Sequence, residues 1–249
     1  MIYVFDLDGT IVFNGQPISK IILQSLKKLR EEGHEIIFAS ARPIRDMLPV
    51  IDKEFHDLTM IGGNGSLIWK EGKVIKSHTF PKKVVEELKE LINLYQATYL
   101  IDGEWNYAYT GPKTHPIFHN IDPGKLAKQV NIDSLDKIVK VLLLTANDMD
   151  KLSEQVLKLD VFVHRHRNED VIDISPKGIH KGSALKSLGI EENTYIVFGN
   201  DANDISMFEH AFHNVMIGSN EQLAPFAKES LSMRGDVEQA ISDKILSLL

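Results

Sequence analysis

Two aspartates follow the apolar segment 2–5 near the start of the chain, in the motif Asp6-Leu7-Asp8-Gly9-Thr10. Carboxylates held this close raise one another's pKa unless a cation lies between them. The pair therefore predicts a bound metal ion, a reaction that needs one ionised and one protonatable acid, or both. Asp6 could act as a nucleophile or a metal ligand, and Asp8 as an acid and base. The alternative is a strand that ends in an ordinary Asp-Gly turn.

Two further segments carry groups that suit an anion. Ser40, at the end of the next predicted strand, offers a hydroxyl just before a helix whose backbone N–H groups favour phosphate. Alternatively, Ser40 only caps the helix that begins at Pro43. In segment 177–182 a lysine at a helix start opposes the helix dipole and makes better sense facing an anion. The alternative there is a solvated surface lysine.

The fourth segment, 199–204, places four oxygen-bearing side chains within five positions, namely Asn200, Asp201, Asn203 and Asp204. Hard cations such as Mg²⁺ bind carboxylate and amide oxygens of this kind. The alternative is an Asx-rich turn that caps a helix. Ligands bind at the carboxyl ends of strands in open α/β sheets, so we expect these segments to converge.

Alternating strands and helices in two parts of the chain predict a doubly wound (Rossmann-like) parallel sheet with helices on its faces. The predicted strands are 2–5, 35–39, 58–61, 195–198 and 214–217, with a hairpin over 66–77. The predicted helices are 19–32, 180–188, 204–211, 220–228 and 236–248, with a further helix from Pro43 that ends near Pro49.

Between these parts the pattern changes to short antiparallel strands with an amphipathic helix over 81–95 and a second helix over 148–157, which is an α+β arrangement. We therefore predict a core domain of residues 1–79 and 177–249, interrupted by an inserted domain of residues 80–176. In the insert, His164 and His166 alternate with Arg165 and Arg167. No further zinc ligands are evident in the sequence, so a solvated strand face is the favoured interpretation of this run.

Composition narrows the function. The net charge is −7, which disfavours a nucleic-acid partner but leaves small anions possible. The chain lacks cysteine, so it has neither disulfides nor thiolate sites, which suits a cytoplasmic location. We expect neither a signal peptide nor a membrane span, because the longest apolar run, 141–144, is far too short to cross a bilayer.

In this order the segments resemble the haloacid dehalogenase-like (HAD) hydrolase superfamily, specifically its Cof-type phosphatases with a C2-type cap. The matching motifs are Asp6-Leu7-Asp8-Gly9-Thr10, Ser40-Ala41-Arg42, Asn64-Gly65-Ser66, Lys181-Gly182 and Gly199-Asn200-Asp201-Ala202-Asn203-Asp204. The resemblance spans nearly the whole chain and implies that the insert is the cap.

The resemblance also implies roles. Asp6 would be the phosphoryl-accepting nucleophile, and Asp8 would protonate the leaving alcohol and then activate water. Ser40 and Lys181 would bind phosphoryl oxygens. The substrate would contact Arg42, Asn64, Gly65 and Asn203. Mg²⁺ would be held by Asp6, the Asp8 carbonyl and segment 200–204, including Asp204.

One position departs from the family pattern, because Asn200 stands where the family has an aspartate that binds the metal. An amide oxygen can still bind Mg²⁺, and Asp201 could instead turn inward and replace it. The implied function is a Mg²⁺-dependent phosphatase of a small phosphorylated metabolite, such as a sugar phosphate. The alternatives are a phosphotransferase or phosphosugar mutase, and a non-catalytic phosphometabolite-binding regulator. The sequence leaves the oligomeric state open.

Overall fold

A computed structural model describes residues 1–164 and 171–249 of the chain. Its strands are β1 (Ile2–Phe5), β2 (Glu35–Ala39), β3 (Thr59–Gly62), β4 (Leu67–Lys70), β5 (Lys73–Ser77), β6 (Thr98–Gly103), β7 (Tyr107–Tyr109), β8 (Ile138–Thr145), β9 (Val161–His164), β10 (Ile172–Pro176), β11 (Tyr195–Gly199), β12 (His213–Ile217) and β13 (Glu229–Leu231). Its α-helices are α1 (Lys20–Glu31), α2 (Ile44–Met47), α3 (Lys82–Leu94), α4 (Met149–Val156), α5 (Lys181–Ser187), α6 (Ile205–Phe208) and α7 (Val237–Ser247).

The larger sheet has the strand order β13-β12-β11-β1-β2-β3-β4-β5. Its strands are parallel from β13 to β3, and the β4–β5 hairpin extends the sheet in antiparallel fashion. The central strands are almost wholly buried because helices cover both faces of the sheet. The predicted doubly wound core is therefore confirmed.

Helix α1 illustrates how the sequence builds these layers. Its apolar residues Ile22, Leu26 and Leu29 form one buried stripe against the sheet. The Ser25 hydroxyl lies 2.6 Å from that of Ser242 in α7, so the two helices pack side by side on this face. The helix ends before Gly33, whose φ of +78° favours glycine.

The smaller sheet, which we call the cap sheet, has the strand order β7-β6-β8-β10-β9 and is antiparallel throughout. One face packs against α3 and α4 in a separate hydrophobic cluster. Alternation along the strands places Leu100, Asp102, Lys140, Leu142 and Asp173 on the opposite side, toward the core. The inserted α+β cap is confirmed, while its exact limits at 80 and 176 stay a prediction.

Two contacts join the cap to the core beside the β6–β7 turn. Trp69 of β4 stacks on Trp105 of that turn, with ring centroids 6.1 Å apart and planes 22° apart. The fully buried Arg45 of α2 donates to Asp102 at 2.5 Å and to the Trp105 carbonyl at 3.0 Å. These contacts fix one end of the cap against the core.

Two helix predictions need correction near the C-terminus. Residues 220–228 form only a 3₁₀ turn, Ala224–Phe226, because the Asn220 side chain caps the N–H groups of Gln222 and Leu223 and the chain then extends into β13. The helix expected over 204–211 is shortened to α6, which follows a 3₁₀ turn over Ala202–Asp204. Within residues 1–164 and 171–249, no helix is both long enough and apolar enough to span a bilayer.

Candidate active site

The predicted site residues converge at the carboxyl ends of neighbouring parallel strands. Asp6 follows β1, Ser40 follows β2 and Asn200 follows β11. Backbone bonds continue between the loops beyond the strands: the Asp6 N–H donates to the Phe198 carbonyl at 2.9 Å, and the Ser40 N–H donates to the Ile61 carbonyl at 2.8 Å. The site is thus fixed by the rigid edge of the sheet.

Lys181 is the buried centre of the site. Its ammonium lies 2.6 Å from Asp6 Oδ1 and 2.7 Å from Asp204 Oδ1, and its side chain is wholly inaccessible to solvent. The other Asp6 oxygen accepts the Thr10 hydroxyl at 2.7 Å. Two carboxylates and one ammonium leave an excess negative charge in a site that is almost wholly buried.

This charge arrangement perturbs both Asp6 and Lys181. Burial, with the nearby charge of Asp204, raises the pKa of Asp6 to about 7, although Lys181 opposes the shift. Burial alone would lower the pKa of Lys181, but the charges of Asp204 and Asp6 outweigh it and raise the pKa. An additional cation beside Asp6 would favour the ionised carboxylate that a nucleophile needs.

Gly9 allows Asn200 to approach the first motif. Its φ is +79°, and a Cβ placed there would lie 2.1 Å from Asn200 Nδ2. The positive φ favours glycine, and a Cβ at this position would force the Asn200 side chain to shift. The close approach brings the Asn200 amide beside the loop that carries Asp6 and Asp8.

Asp8 is more open than Asp6 and is held by Arg42. The guanidinium donates two bonds to its carboxylate, from Nε at 2.7 Å and from Nη2 at 2.6 Å. Arg42 also donates to the Asp46 carbonyl at 3.2 Å. The two predicted site residues therefore bind one another, and any other group that binds the Asp8 carboxylate must compete with Arg42.

Ser40 does not cap the following helix. The N-cap position of α2 is Pro43, which offers no side-chain bond, whereas Ser40 Oγ accepts the Arg42 N–H at 3.1 Å. Because its oxygen accepts this bond, the hydroxyl proton is left to donate to an anion. The geometry suits the predicted phosphate-binding role better than the capping alternative.

The side chains of segment 199–204 have different roles, and some of them cap the local turn while others line the cavity. Asp201 Oδ1 accepts the Ala202 N–H at 2.8 Å and the Asn220 amide at 2.8 Å. Asp204 Oδ2 accepts the N–H groups of Asn200 and Asp201, while Oδ1 faces Lys181. Asp204 therefore lies behind Lys181 as its fully buried counter-charge.

A cavity of about 370 Å³ lies between these loops and the cap sheet. The predicted site residues that line it are Asp6, Asp8, Ser40, Arg42, Asn200, Asp201 and Asn203. Asn64 and Gly65 are buried beneath its wall, where Asn64 bridges Asp173 at 3.0 Å and Asn203 at 3.1 Å. Asn64, a predicted substrate contact, therefore holds other residues of the site in this structure, and Gly65 is buried beside it.

Sequence reasoning missed the residues that the cap contributes. Asp102, Lys140 and Asp173 line the cavity from the cap sheet, and each is at least 95% buried. Lys140 interrupts the otherwise apolar strand 138–144, and a charge at such a position is a signal that could have identified it. Asp46, from the core, also lines the cavity, and burial raises its pKa to about 7 despite the opposing charge of Arg45.

Lys177 and His164 differ in exposure. Lys177 is a solvated lysine, with a side chain 71% exposed and an ion pair to Asp160. His164 is buried and lies 2.9 Å from the Ser175 hydroxyl, so a solvated face is wrong for this residue. Its ring also contacts Phe162 edge-on. Arg165, His166 and Arg167 fall outside the described residues.

Comparison with known proteins identifies the family. The sequence profile of a haloacid dehalogenase-like hydrolase family matches residues 3–231. A 5-amino-6-(5-phospho-D-ribitylamino)uracil phosphatase of Escherichia coli, YbjI, is 22% identical over 83% of this chain and 80% of its own length. An HMP-PP phosphatase of Escherichia fergusonii is 25% identical over 86% of this chain and 83% of its own length.

Solved structures agree on the fold. A haloacid dehalogenase-like hydrolase from Bacteroides thetaiotaomicron superposes with a TM-score of 0.81 at 21% identity, covering 100% of this chain and 99% of that one. A sugar phosphatase of HAD subclass IIB gives a TM-score of 0.79 at 20% identity, covering 99% of this chain and 98% of that one.

The chain belongs to the haloacid dehalogenase-like hydrolase family. The predicted family, the fold class and the enzyme class of a HAD-like phosphatase are confirmed. Its relatives act on small phosphorylated metabolites.

Proposed function

We propose that this protein is a Mg²⁺-dependent phosphatase that hydrolyses a small phosphomonoester through an aspartyl-phosphate on Asp6. The observation that carries the proposal is the Asp6 carboxylate at the wall of the cavity, 2.6 Å from the buried Lys181 ammonium. A carboxylate nucleophile approaches a phosphate anion only when positive charge offsets their repulsion. Lys181 supplies part of that charge.

The residues present suit a magnesium ion. Within the described parts of the chain, no three His, Cys, Asp or Glu side chains cluster as a metal site. A site that combines the Asp6 carboxylate, the Asp8 carbonyl and the Asn200 amide is of a different type, because its donors include amide and backbone oxygens. The excess negative charge around Lys181 supports the need for a cation. When bound, Mg²⁺ would neutralise charge on the transferring group.

Asn200 is the better candidate ligand than Asp201. Its side chain lies against the Gly9 turn, beside the Asp6–Asp8 loop. Asp201 Oδ1 instead accepts hydrogen bonds from the Ala202 N–H and from the Asn220 amide. Asp204 would act from behind Lys181, as a source of negative charge.

Two displacements account for hydrolysis. In the first, an Asp6 oxygen bonds to phosphorus, the bond to the leaving oxygen breaks, and Asp8 gives its proton to the departing alcohol. In the second, Asp8 removes a proton from water, the water oxygen bonds to phosphorus, and the bond to Asp6 breaks. In both steps the Ser40 hydroxyl would donate a hydrogen bond to a phosphoryl oxygen.

We infer that the substrate is a small metabolite phosphate, such as a sugar phosphate. Support comes from the limited cavity of about 370 Å³ and from relatives whose names specify different small phosphorylated molecules. We also place the protein in the cytoplasm, on the grounds of its missing cysteines and of its metabolic substrate class.

The test is phosphate release from a generic phosphomonoester with Mg²⁺ or with EDTA. We expect D6N to abolish Mg²⁺-dependent release, and D136N, at an exposed aspartate of the cap, to retain it. Normal turnover in D6N would remove Asp6 from the mechanism. A phosphorylated product in place of free phosphate when a sugar acceptor is added would instead identify a phosphotransferase.

A further inference from the structure

Lys140 of the cap reaches into the loop that carries Ser40. Its side chain is 95% buried, and its ammonium donates to the Ala41 carbonyl at 2.9 Å. The same ammonium lies 3.1 Å from Asp173 Oδ2, on the neighbouring cap strand. A buried cap lysine is thus bound to the core backbone one residue beyond the predicted phosphate-binding hydroxyl.

A single peptide group connects this contact to Ser40. The Ala41 carbonyl and the Arg42 N–H belong to the same planar unit, so fixing one fixes the direction of the other. That N–H donates to Ser40 Oγ at 3.1 Å. The positive charge of Lys140 on the carbonyl also polarises the peptide group and strengthens the bond to Ser40.

Asp173 supports Ser40 from the other side. Its Oδ2 accepts the Asn64 amide at 3.0 Å, and the Asn64 backbone N–H donates to the Ser40 carbonyl at 3.0 Å. Asn64 Oδ1 in turn accepts the Asn203 amide at 3.1 Å. The hydroxyl and the carbonyl of Ser40 are therefore both held by bonds that lead to the Lys140–Asp173 pair.

We propose that Lys140, with Asp173, is a positioning pair that couples closure of the cap to the orientation of Ser40 in the phosphate site. The pair acts on the phosphoryl group through the core loop, so its effect does not depend on the leaving group. This inference rests on the proposed phosphatase function. If Lys140 and Asp173 orient Ser40, the docked cap has two roles: it covers the cavity against water, and it completes the phosphate site.

Binding of inorganic phosphate tests the proposal, because this probe has no leaving group. Measured by calorimetry with Mg²⁺ present, phosphate affinity is expected to fall about tenfold in K140M, the loss expected for a hydrogen bond from a charged group. Values of kcat/KM should fall by one common factor across phosphomonoesters with different alcohols. The control is K137M, which removes an exposed cap lysine three residues earlier.

The role of Ser40 is isolated by a double-mutant cycle. If Lys140 acts through the Ser40 hydroxyl, K140M adds little to the loss already caused by S40A. K140R should restore part of the phosphate affinity, because it can still donate to the Ala41 carbonyl. Unchanged phosphate affinity in K140M, with losses that vary from one alcohol to another, would overturn the proposal and make Lys140 a leaving-group contact.

Folding and function are separated by two further measurements. K140M leaves the Asp173 carboxylate buried without its lysine, so K140M/D173N provides a variant in which that charge is also removed. Its phosphate affinity should be as low as that of K140M, and wild-type affinity in this variant would refute the positioning role. If the wild-type chain binds phosphate without releasing it from any ester, the proposed function fails, while the binding data still decide the role of Lys140.

Discussion

Replacing Lys181 with methionine is the most demanding test of the electrostatic arrangement. The substitution removes a wholly buried ammonium that lies 2.6 Å from Asp6 and 2.7 Å from Asp204. The two carboxylates would then lie close together with no ammonium between them. A buried charge that loses its partner destabilises the folded state, because it stays out of water without an opposite charge nearby. We therefore expect the free energy of unfolding to fall by about 3 to 5 kcal/mol at pH 8.

The size of this loss should depend on pH. Asp6 has a folded-state pKa raised from 3.8 to about 7, and it rises further once Lys181 is gone. An acid whose pKa is higher in the folded state costs stability as the pH rises from its unfolded to its folded value. At pH 5.5 Asp6 is protonated in the folded variant, so K181M should be closer to the wild type there than at pH 8.

Urea unfolding in EDTA, followed by circular dichroism and fluorescence, gives the measurement. The matched control is K177M, since Lys177 is 71% exposed and its surface ion pair contributes less than about 1 kcal/mol. K181M/D204N removes one of the stranded carboxylates and should recover more than half of the loss. The reasoning is refuted if K181M is as stable as K177M at pH 8.

Three further predictions concern the surrounding loops. G65A should lower the free energy of unfolding by about 2 to 5 kcal/mol, because φ is +107° and its Cβ would lie 2.5 Å from the His180 carbonyl oxygen. The control is G72A, which has a φ of +78° but open space around it, and which should cost only about 1 to 2 kcal/mol in the same urea titration. As the pH rises from 5 to 8, the free energy of unfolding of D46N should increase by about 2 to 3 kcal/mol relative to that of the wild type, because the pKa of Asp46 is raised from 3.8 to about 7. A difference between the two proteins that stays constant across this range would contradict the raised pKa. In thermal unfolding, the increase in Tm caused by Mg²⁺ should be larger in N200D and smaller in N200A than in the wild type, and equal shifts would exclude Asn200 as a ligand.

The core of the site could be predicted because three of its residues directly follow parallel strands. Asp6, Ser40 and Asn200 each follow an apolar strand, and parallel strands deliver their carboxyl ends to one edge. Position along the chain therefore translates directly into position in space. The same reasoning distinguishes the cap, where the strands become short and antiparallel.

The cap contacts could not be predicted because they depend on how two separate sheets pack together. Lys140 meets Ala41 across 99 positions, and Asn64 meets Asp173 across 109. No local pattern encodes such a pairing, which depends on how one sheet packs over the other. The turn at Ala224–Phe226 was missed for the opposite reason: the Asn220 cap and Pro225 favour a short local turn over the helix that the composition suggested.

The stacked pair of Trp69 and Trp105 also has a practical consequence. They are the two tryptophans of the chain, and one belongs to the core while the other belongs to the cap. Indole rings 6.1 Å apart couple their electronic transitions, and the coupling weakens steeply as they separate. The near-ultraviolet circular dichroism of the unlabelled protein therefore reports the distance between cap and core at this contact. Stopped-flow measurements could follow this signal during turnover.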